Sequence, residues 1–208
     1  MSSALTRMRG RFDFAHIARW IAPGERVLDL GCGDGTLLRL LADTRQIRGY
    51  GVELDPENVA ACIQNGVNVL QFNLERGLFG FEDRSFDHVI MSLSLQTVRH
   101  TVPILREMLR VGREVVVSFP NFAYKPHREA IAAGHMPVSR HLPYQWFDSP
   151  NVRFFTIADF ERLCADERIE IIERMSFAEG RLVTRDPNLN AEVALYRIRD
   201  REPGSGNP

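Results

Sequence analysis

The chain has 208 residues, 44% of them hydrophobic, which suits a single domain with a sizeable core. A formal net charge of −1, without a long basic run, argues against a nucleic acid or an anionic membrane as partner. No apolar stretch is long enough to cross a bilayer and no segment is of the signal-peptide type, so we expect a cytoplasmic protein.

Short apolar runs alternate with helical patterns along the chain, in the order that βαβ units require. The predicted strands are residues 27–30, 49–53, 67–70, 86–91, 114–119, 169–173 and 191–198. The predicted helices start at Leu37 and, after the N-cap Asp55, at Pro56; later ones cover 104–109 and 156–165. This order predicts an α/β fold with a doubly wound, seven-stranded, mostly parallel sheet.

Composition suggests one domain over residues 10–198, with flexible segments at 1–9 and 199–208. An insertion of about residues 120–155 after the fifth strand is rich in aromatic side chains and prolines and has little periodicity. Its aromatic residues are Phe122, Tyr124, Tyr144, Trp146, Phe147, Phe154 and Phe155. The insertion is either a substrate lid or partner surface, or a packed aromatic minicore beside the helix that begins at Thr156.

The first strand leads into a glycine-rich turn, Asp29-Leu-Gly-Cys-Gly-Asp-Gly35. Glycines at alternate positions let the backbone turn sharply and let a ligand approach the peptide groups. The second strand ends at Glu53, roughly 20 residues further on, where an acidic residue binds a ribose diol in dinucleotide folds. These features predict a nucleoside ligand. A dinucleotide, whose fingerprint is G-x-G-x-x-G, is the alternative.

The spacing G-x-G-x-G resembles motif I of the class I S-adenosylmethionine (SAM) methyltransferases. The resemblance implies a Rossmann-like methyltransferase fold that binds SAM or S-adenosylhomocysteine (SAH). The implied cofactor-binding residues are Asp29, Gly31, Cys32, Gly33, Asp34, Gly35, Glu53, Leu54, Asn73, Leu74 and Met91. Asn73 stands where the class usually has an adenine-binding aspartate. Its oxygen can accept the same hydrogen bond, or the residue can serve as a turn residue before Glu75.

Methyl transfer from a sulfonium needs alignment, exclusion of water and, for some acceptors, a base. The candidate bases are His100 and Tyr124, together with His88 and His141. His88 lies within a strand pattern and is the weaker candidate. His100 follows the fourth strand, where it either faces a substrate or caps the next helix.

The three cysteines, Cys32, Cys62 and Cys164, are widely spaced, without a C-x-x-C pair or a histidine at metal-ligand spacing. We expect reduced thiols and no metal site. Cys32 lies inside the glycine turn, as a catalytic thiol or as a small residue beside the cofactor, and we favour the second interpretation.

The segment Ser118-Phe-Pro-Asn-Phe122 is similar to the Asn-Pro-Pro-Tyr motif of enzymes that methylate nucleic-acid bases, but it follows strand five instead of strand four. We therefore interpret it as a proline-containing exit from a strand, with Phe122 packed on the sheet edge.

Several segments of the chain closely resemble the MetW family of methionine biosynthesis proteins. They are the segment at 118–122, the glycine turn and residues 48–55, 58–62, 66–69, 107–112, 136–138 and 142–144. The resemblance covers about residues 9–180. It implies a methyltransferase-like protein of methionine synthesis that supports a homoserine O-acyltransferase. Two functions stay open: a SAM-binding accessory subunit, and an active methyltransferase of a small molecule.

Overall fold

The computed structural model describes residues 11–201. Its helices are α1 (Phe12–Trp20), α2 (Thr36–Arg45), α3 (Pro56–Gln64), α4 (Thr101–Val111), α5 (Lys125–Ala132), α6 (Ile157–Asp166) and α7 (Pro187–Asn190). Its strands are β1 (Arg26–Leu30), β2 (Arg48–Glu53), β3 (Val69–Gln71), β4 (Phe86–Ser92), β5 (Gly112–Pro120), β6 (Ile169–Ala178), β7 (Arg181–Leu182) and β8 (Val193–Asp200). The predicted flexible segment 1–9, and residues 202–208 of the predicted tail, lie outside the described residues.

The strands form one sheet in the order β3-β2-β1-β4-β5-β8-β6-β7. Strands β1 to β5 are parallel, whereas β8 runs antiparallel to both β5 and β6. The predicted doubly wound, mostly parallel sheet is thus confirmed. It has eight strands instead of seven, because two residues, Arg181 and Leu182, pair with the end of β6 as a short hairpin.

Helices cover both faces of the sheet, and each face has its own apolar core. One core includes Ile104 and Met108 of α4 and Phe160 of α6. The other includes residues of α1 and α2, such as Ile17 and Leu41. Strand β5 serves both cores because its side chains alternate in direction: Val115 and Val117 enter the first and Val116 the second.

Local capping signals in the sequence mark two helices correctly. The side chain of Asp55 accepts a hydrogen bond from Glu57 N at 2.8 Å, with Pro56 in the first turn of α3. Thr156 and Asp159 form a reciprocal capping box at the start of α6.

Several boundaries differ from the prediction. Helices α1, α5 and α7 were not predicted, β3 lies at 69–71 instead of 67–70, and β6 continues five residues beyond its predicted end at Glu173. Strand β8 runs to Asp200, past the predicted domain end at 198. Phe122 packs against Phe154 of the insertion, with ring centroids 5.1 Å apart. Among residues 11–201, no helix is long and apolar enough to cross a membrane.

Candidate functional site

The predicted cofactor-binding residues follow the carboxyl ends of the parallel strands β1 to β4 or lie next to them. The chain moves outward from β1 to β2 and β3, then returns to place β4 on the other side of β1. In doubly wound sheets, such a reversal opens a crevice at the carboxyl ends of the two central strands, and ligands bind there. The glycine turn follows β1 directly at this position.

The turn has a backbone that only glycine adopts easily. Gly31, Gly33 and Gly35 all have positive φ angles, of 71°, 56° and 77°. The N–H groups of Gly31 and Cys32 both donate to the carbonyl of Val52, at 2.8 and 3.2 Å. These two bonds fix the turn against the end of β2.

The three glycines have different surroundings. A Cβ atom on Gly31 would lie 3.2 Å from the side chain of Ser94, and one on Gly35 would lie 3.0 Å from Cys62 and Val67. A Cβ atom on Gly33 would meet nothing within 4 Å. Gly31 and Gly35 are therefore required for packing within the protein, whereas Gly33 faces open space.

Glu53 is brought directly onto the turn, as its position at the end of β2 predicted. Its Oε2 accepts from Gly33 N at 2.8 Å, and its Oε1 accepts from Leu54 N and Asp55 N at 2.8 and 3.0 Å. The carboxylate is thereby held at the edge of the open space in front of Gly33. Because a carboxylate oxygen can accept two hydrogen bonds, Oε2 keeps capacity for a ligand hydroxyl.

Asp29 lies beneath the turn with a perturbed carboxyl group. It is only 3% exposed, and burial raises its pKa to about 7, although the nearby Arg11 opposes the shift. A cationic group placed beside Asp29 would favour its ionised form. Met91, next to the last residue of β4, is fully buried in the core under α4 and has no exposed surface at the crevice.

Cys32 points away from the open side of the turn. Its Sγ lies 3.7 Å from Sγ of Cys62, whose thiol donates to the carbonyl of Gly33 at 3.1 Å. A Cβ atom on Gly51 would lie 2.4 Å from the Cys32 sulfur, so β2 must have glycine at this point. Burial strongly raises the pKa of Cys32, which keeps it a protonated thiol. This favours the packing interpretation over a catalytic thiol.

The remaining predicted cofactor residues lie around the crevice. Asp34 Oδ1 accepts from Thr36 N and Oγ1, at 3.0 and 2.6 Å, and so helps to start α2. Leu54 is 57% exposed beside Glu53. Asn73 Oδ1 accepts from Glu75 N at 2.9 Å, as the turn interpretation predicts, and the turn brings Leu74 to the edge of a cavity that His100 also lines.

The two leading candidate bases are far from equivalent. His100 is exposed and lies 3.9 Å from the carboxylate of Glu75, without a capping hydrogen bond to α4. Tyr124 lies in the insertion, edge-on to His127 at 5.3 Å between ring centroids, and burial together with Glu192 raises its pKa. No described contact joins His100 with Tyr124.

The other two histidines are paired with carboxylates inside the protein. His88 lies between Glu25 and Glu114, at 3.2 and 3.1 Å, and His141 lies 3.0 Å from Glu192. Within residues 11–201, no three His, Cys, Asp or Glu side chains group in a way that could hold a metal.

Two contacts of the turn escaped the sequence reasoning. Ser94 packs where Gly31 lacks a side chain, and its Oγ donates to the Leu30 carbonyl at 3.2 Å. Cys62 supports Gly33 and Gly35 from α3. Neither position carries a local signal, because both depend on how distant elements meet.

The aromatic insertion contains both packed and exposed rings. Phe155 packs against Phe119 of β5 with the rings tilted by 45° and their centroids 4.6 Å apart, and Phe122 contacts Phe154. Trp146 and Phe147 contact each other but are 75% and 69% exposed. The minicore interpretation therefore fits the base of the insertion, while the outer part is an uncovered apolar surface.

This sheet order, with a glycine turn facing an acidic residue at the end of β2, defines the class I SAM-dependent methyltransferase fold. A SAM-dependent methyltransferase from Mesorhizobium loti superposes with a TM-score of 0.67 and 18% identity, covering 92% of this chain and 99% of that one. Magnesium protoporphyrin IX methyltransferase from Synechocystis PCC 6803, solved with bound SAH, gives a TM-score of 0.65 at 16% identity, covering 91% and 82%.

The chain belongs to the family of methionine biosynthesis protein MetW, whose sequence model matches residues 11–198. The bifunctional methionine biosynthesis protein MetXA/MetW of Rhodopirellula baltica is 39% identical over 197 residues. The alignment covers 88% of this chain and 32% of that protein, so the chain spans about a third of its relative's length. The resemblance found in the sequence is thus confirmed, and the protein is a methyltransferase-like protein of methionine biosynthesis.

Proposed function

We propose that this protein binds SAM or SAH in front of the glycine turn and supports a homoserine O-acyltransferase. The observation that carries the binding proposal is the open space at Gly33, bordered by the fixed carboxylate of Glu53. The structural neighbours support the same ligand class, because one of them was solved with SAH.

The residues fit the chemistry of this cofactor. Glu53 can accept from a ribose hydroxyl, and the buried Asp29 offers a carboxyl group that a cation would ionise. Asn73 can accept from an adenine amino group through the second lone pair of Oδ1, since Glu75 N uses only one. When bound, SAM supplies a methyl group on a sulfonium; the turn and its carboxylates hold and orient the donor.

The direct test of binding is calorimetric titration of the purified protein with SAM and with SAH, with and without the acyltransferase. Binding that tightens with the partner identifies a cofactor-responsive subunit. Absence of binding in both conditions contradicts the proposal and identifies the fold as a scaffold.

Glu53→Ala should lower the affinity for SAM about tenfold to a hundredfold, because it removes the ribose acceptor and the hydrogen bond that holds Gly33 N. Glu57→Ala is the matched control, since Glu57 lies exposed in the first turn of α3 and should leave the dissociation constant unchanged. Equal affinity of Glu53→Ala and the unmodified protein in calorimetry would exclude Glu53 from the site.

The proposal of an acyltransferase partner is supported by the relative from Rhodopirellula baltica, whose name combines MetXA and MetW in one protein. Fusion of two units is a common outcome where they act together, since a tether raises their effective concentration. The exposed aromatic residues in the outer part of the insertion, which we call the aromatic patch, are Tyr144, Trp146 and Phe147. We propose that this patch contacts the acyltransferase.

Charge around the aromatic patch favours an acidic partner surface. The segment from 124 to 154 carries Lys125, Arg128, Arg140 and Arg153 but only Glu129 and Asp148 as acids, although the whole chain has a formal charge of −1. Complementary charge mainly accelerates association, and its contribution falls as salt rises.

The double variant Trp146→Ala, Phe147→Ala should weaken association with the acyltransferase at least about tenfold, because exposed aromatic anchors dominate interface energies. Its free energy of unfolding should change little, since neither ring is buried. Phe79→Ala is the control, as Phe79 is 80% exposed outside the insertion. Titration by light scattering or biosensor measures the loss, and an equal effect of both variants would remove the patch from the interface.

A second function, methyl transfer to a small molecule, is favoured by one observation. A cavity of about 370 Å³ opens beside the end of β4, next to the segment that contacts the glycine turn. Transfer requires an acceptor there, and release of SAH from SAM in the presence of the acceptor is the measurement that distinguishes turnover from binding alone.

A further inference from the structure

The cavity beside the end of β4, which we call the β4-end cavity, is formed between the β4 exit and the insertion. It has a volume of about 370 Å³, within the usual range of small-molecule sites, and its lining includes Leu93 and Gln96 from the exit and Tyr144 from the insertion. Ser94, in the same exit segment, packs on the opposite side against Gly31 of the glycine turn. The exit segment therefore separates the β4-end cavity from the glycine turn by the thickness of one chain.

The charged side chains that line the cavity are cationic. These are Arg11 and Arg140; the imidazole of His141 also contributes to the wall, and none of the lining residues is Asp or Glu. The balancing carboxylates lie behind the wall: Asp13, only 2% exposed, holds Arg11 by two hydrogen bonds of 3.0 Å, and Glu192 lies 3.0 Å from His141. Arg11 also donates to Ser92 Oγ at 2.6 Å. Its guanidinium group is thus oriented before any ligand arrives.

One buried polar atom of the lining residue Gln96 lacks a hydrogen-bond partner among residues 11–201. Gln96 is only 7% exposed. Its side-chain Nε2 donates to the Leu93 carbonyl at 2.7 Å, and its backbone carbonyl accepts from the N–H groups of Val152 and Arg153, each at 3.0 Å. Its Oε1 is the atom that has no partner in this part of the chain. Buried oxygens are rarely left unpaired, so this atom can take a hydrogen bond from a donor other than residues 11–201.

The backbone next to Gln96 is strained in a way that is typical of binding sites. Leu93 has a φ angle of +54°, a left-handed conformation that is unfavourable for a leucine. It is maintained because Leu93 N donates to both the carbonyl and the hydroxyl of Ser118, each at 3.0 Å. This conformation turns the exit segment so that its side chains line the cavity.

We infer that the β4-end cavity binds a small α-amino acid. Its carboxylate would meet the guanidinium groups of Arg11 and Arg140, and its ammonium group would donate to Gln96 Oε1 on a small shift of the side chain. The placement of this ligand beside a methyl donor rests on the proposed function, whereas the binding of the amino acid does not.

The test is calorimetric titration of the protein with L-homoserine and L-methionine, and with two probes that each lack one group of homoserine. These are γ-hydroxybutyrate, without the ammonium group, and aminopropanol, without the carboxylate. At least one amino acid should bind, and both truncated probes should bind about tenfold or more weakly than the amino acid. Failure of both amino acids at millimolar concentration, or equal binding of all probes, overturns the inference.

Two arginine variants make the test specific to the cavity. Arg140→Gln should weaken binding of the amino acid about tenfold, whereas Arg162→Gln, on an exposed arginine of α6 that is not part of the lining, should leave the affinity unchanged. Equal losses in both variants would indicate general charge attraction and overturn the inference. A SAM titration of the same samples separates the two proposals: binding of the amino acid without SAM contradicts only the proposed function, and the reverse contradicts only this inference.

Discussion

Gly33→Val should reduce SAM affinity at least about a hundredfold, ~2.7 kcal/mol, in a protein that still folds. The backbone at Gly33 has a φ angle of +56°, so a β-branched residue is strained there by about 1–3 kcal/mol. The protein itself leaves room for the new atoms, since nothing lies within 4 Å of the Cβ position. The valine side chain would therefore occupy the space in front of the turn where we propose that the cofactor lies.

The control for strain is Gly24→Val. Gly24 also has a positive φ angle, +80°, with nothing within 4 Å of its Cβ position, but it precedes β1 and so lies at the opposite edge of the sheet. Thermal unfolding should show a similar loss of stability in both variants. Calorimetry should show a loss of SAM affinity only in Gly33→Val. Undiminished SAM binding by Gly33→Val would show that the pocket lies elsewhere.

The part of the site that could be predicted from sequence is the part encoded locally. The three glycines need positive φ angles, and Glu53 is the last residue of the next strand, so strand order alone brings it to the turn. Capping patterns within four residues mark the start of two helices: Asp55 with Pro56 for α3, and Thr156 with Asp159 for α6. These signals do not depend on the rest of the fold.

The missed helices α1, α5 and α7 have no side-chain hydrogen bond at the N-cap, although α5 and α7 have a proline in the first turn. In α5, His127 is the one buried residue, so no apolar stripe marks this helix. Helix α5 is instead held by tertiary contacts, such as the hydrogen bond between its His127 Nδ1 and the Asn121 carbonyl at 3.1 Å. Periodicity cannot reveal an element that is stabilised in this way.

The contacts of Cys62 and Ser94 with the turn were missed for a related reason. Each depends on the register between elements that are distant in sequence: Cys62 reaches Gly33 from 29 positions away. A cysteine on the apolar side of a helix and a serine after a strand are ordinary in themselves. Only the fold shows that they limit the size of the residues at 31 and 35.

Asn121→Ala should lower the free energy of unfolding by about 3–5 kcal/mol, which is large for one polar side chain. Asn121 is fully buried after β5. Its Nδ2 donates to the carbonyls of Asn188 and Ala191, at 3.0 and 2.8 Å, and its Oδ1 accepts from Ala123 N and Ile157 N, at 3.2 and 3.3 Å. Alanine would leave four backbone groups without these partners in the interior.

The same side chain therefore joins the start of the insertion, the start of α6 and the loop before β8. This supports a structural role for the segment Ser118-Phe-Pro-Asn-Phe122, in agreement with the rejection of a base-binding motif. Denaturant unfolding measures the loss, and Asn68→Ala is the control, because Asn68 is exposed and makes one long hydrogen bond of 3.4 Å. If Asn121→Ala kept its stability but no longer bound the amino acid or SAM, the prediction would be wrong. The amide of Asn121 would then bind a ligand instead of stabilising the fold.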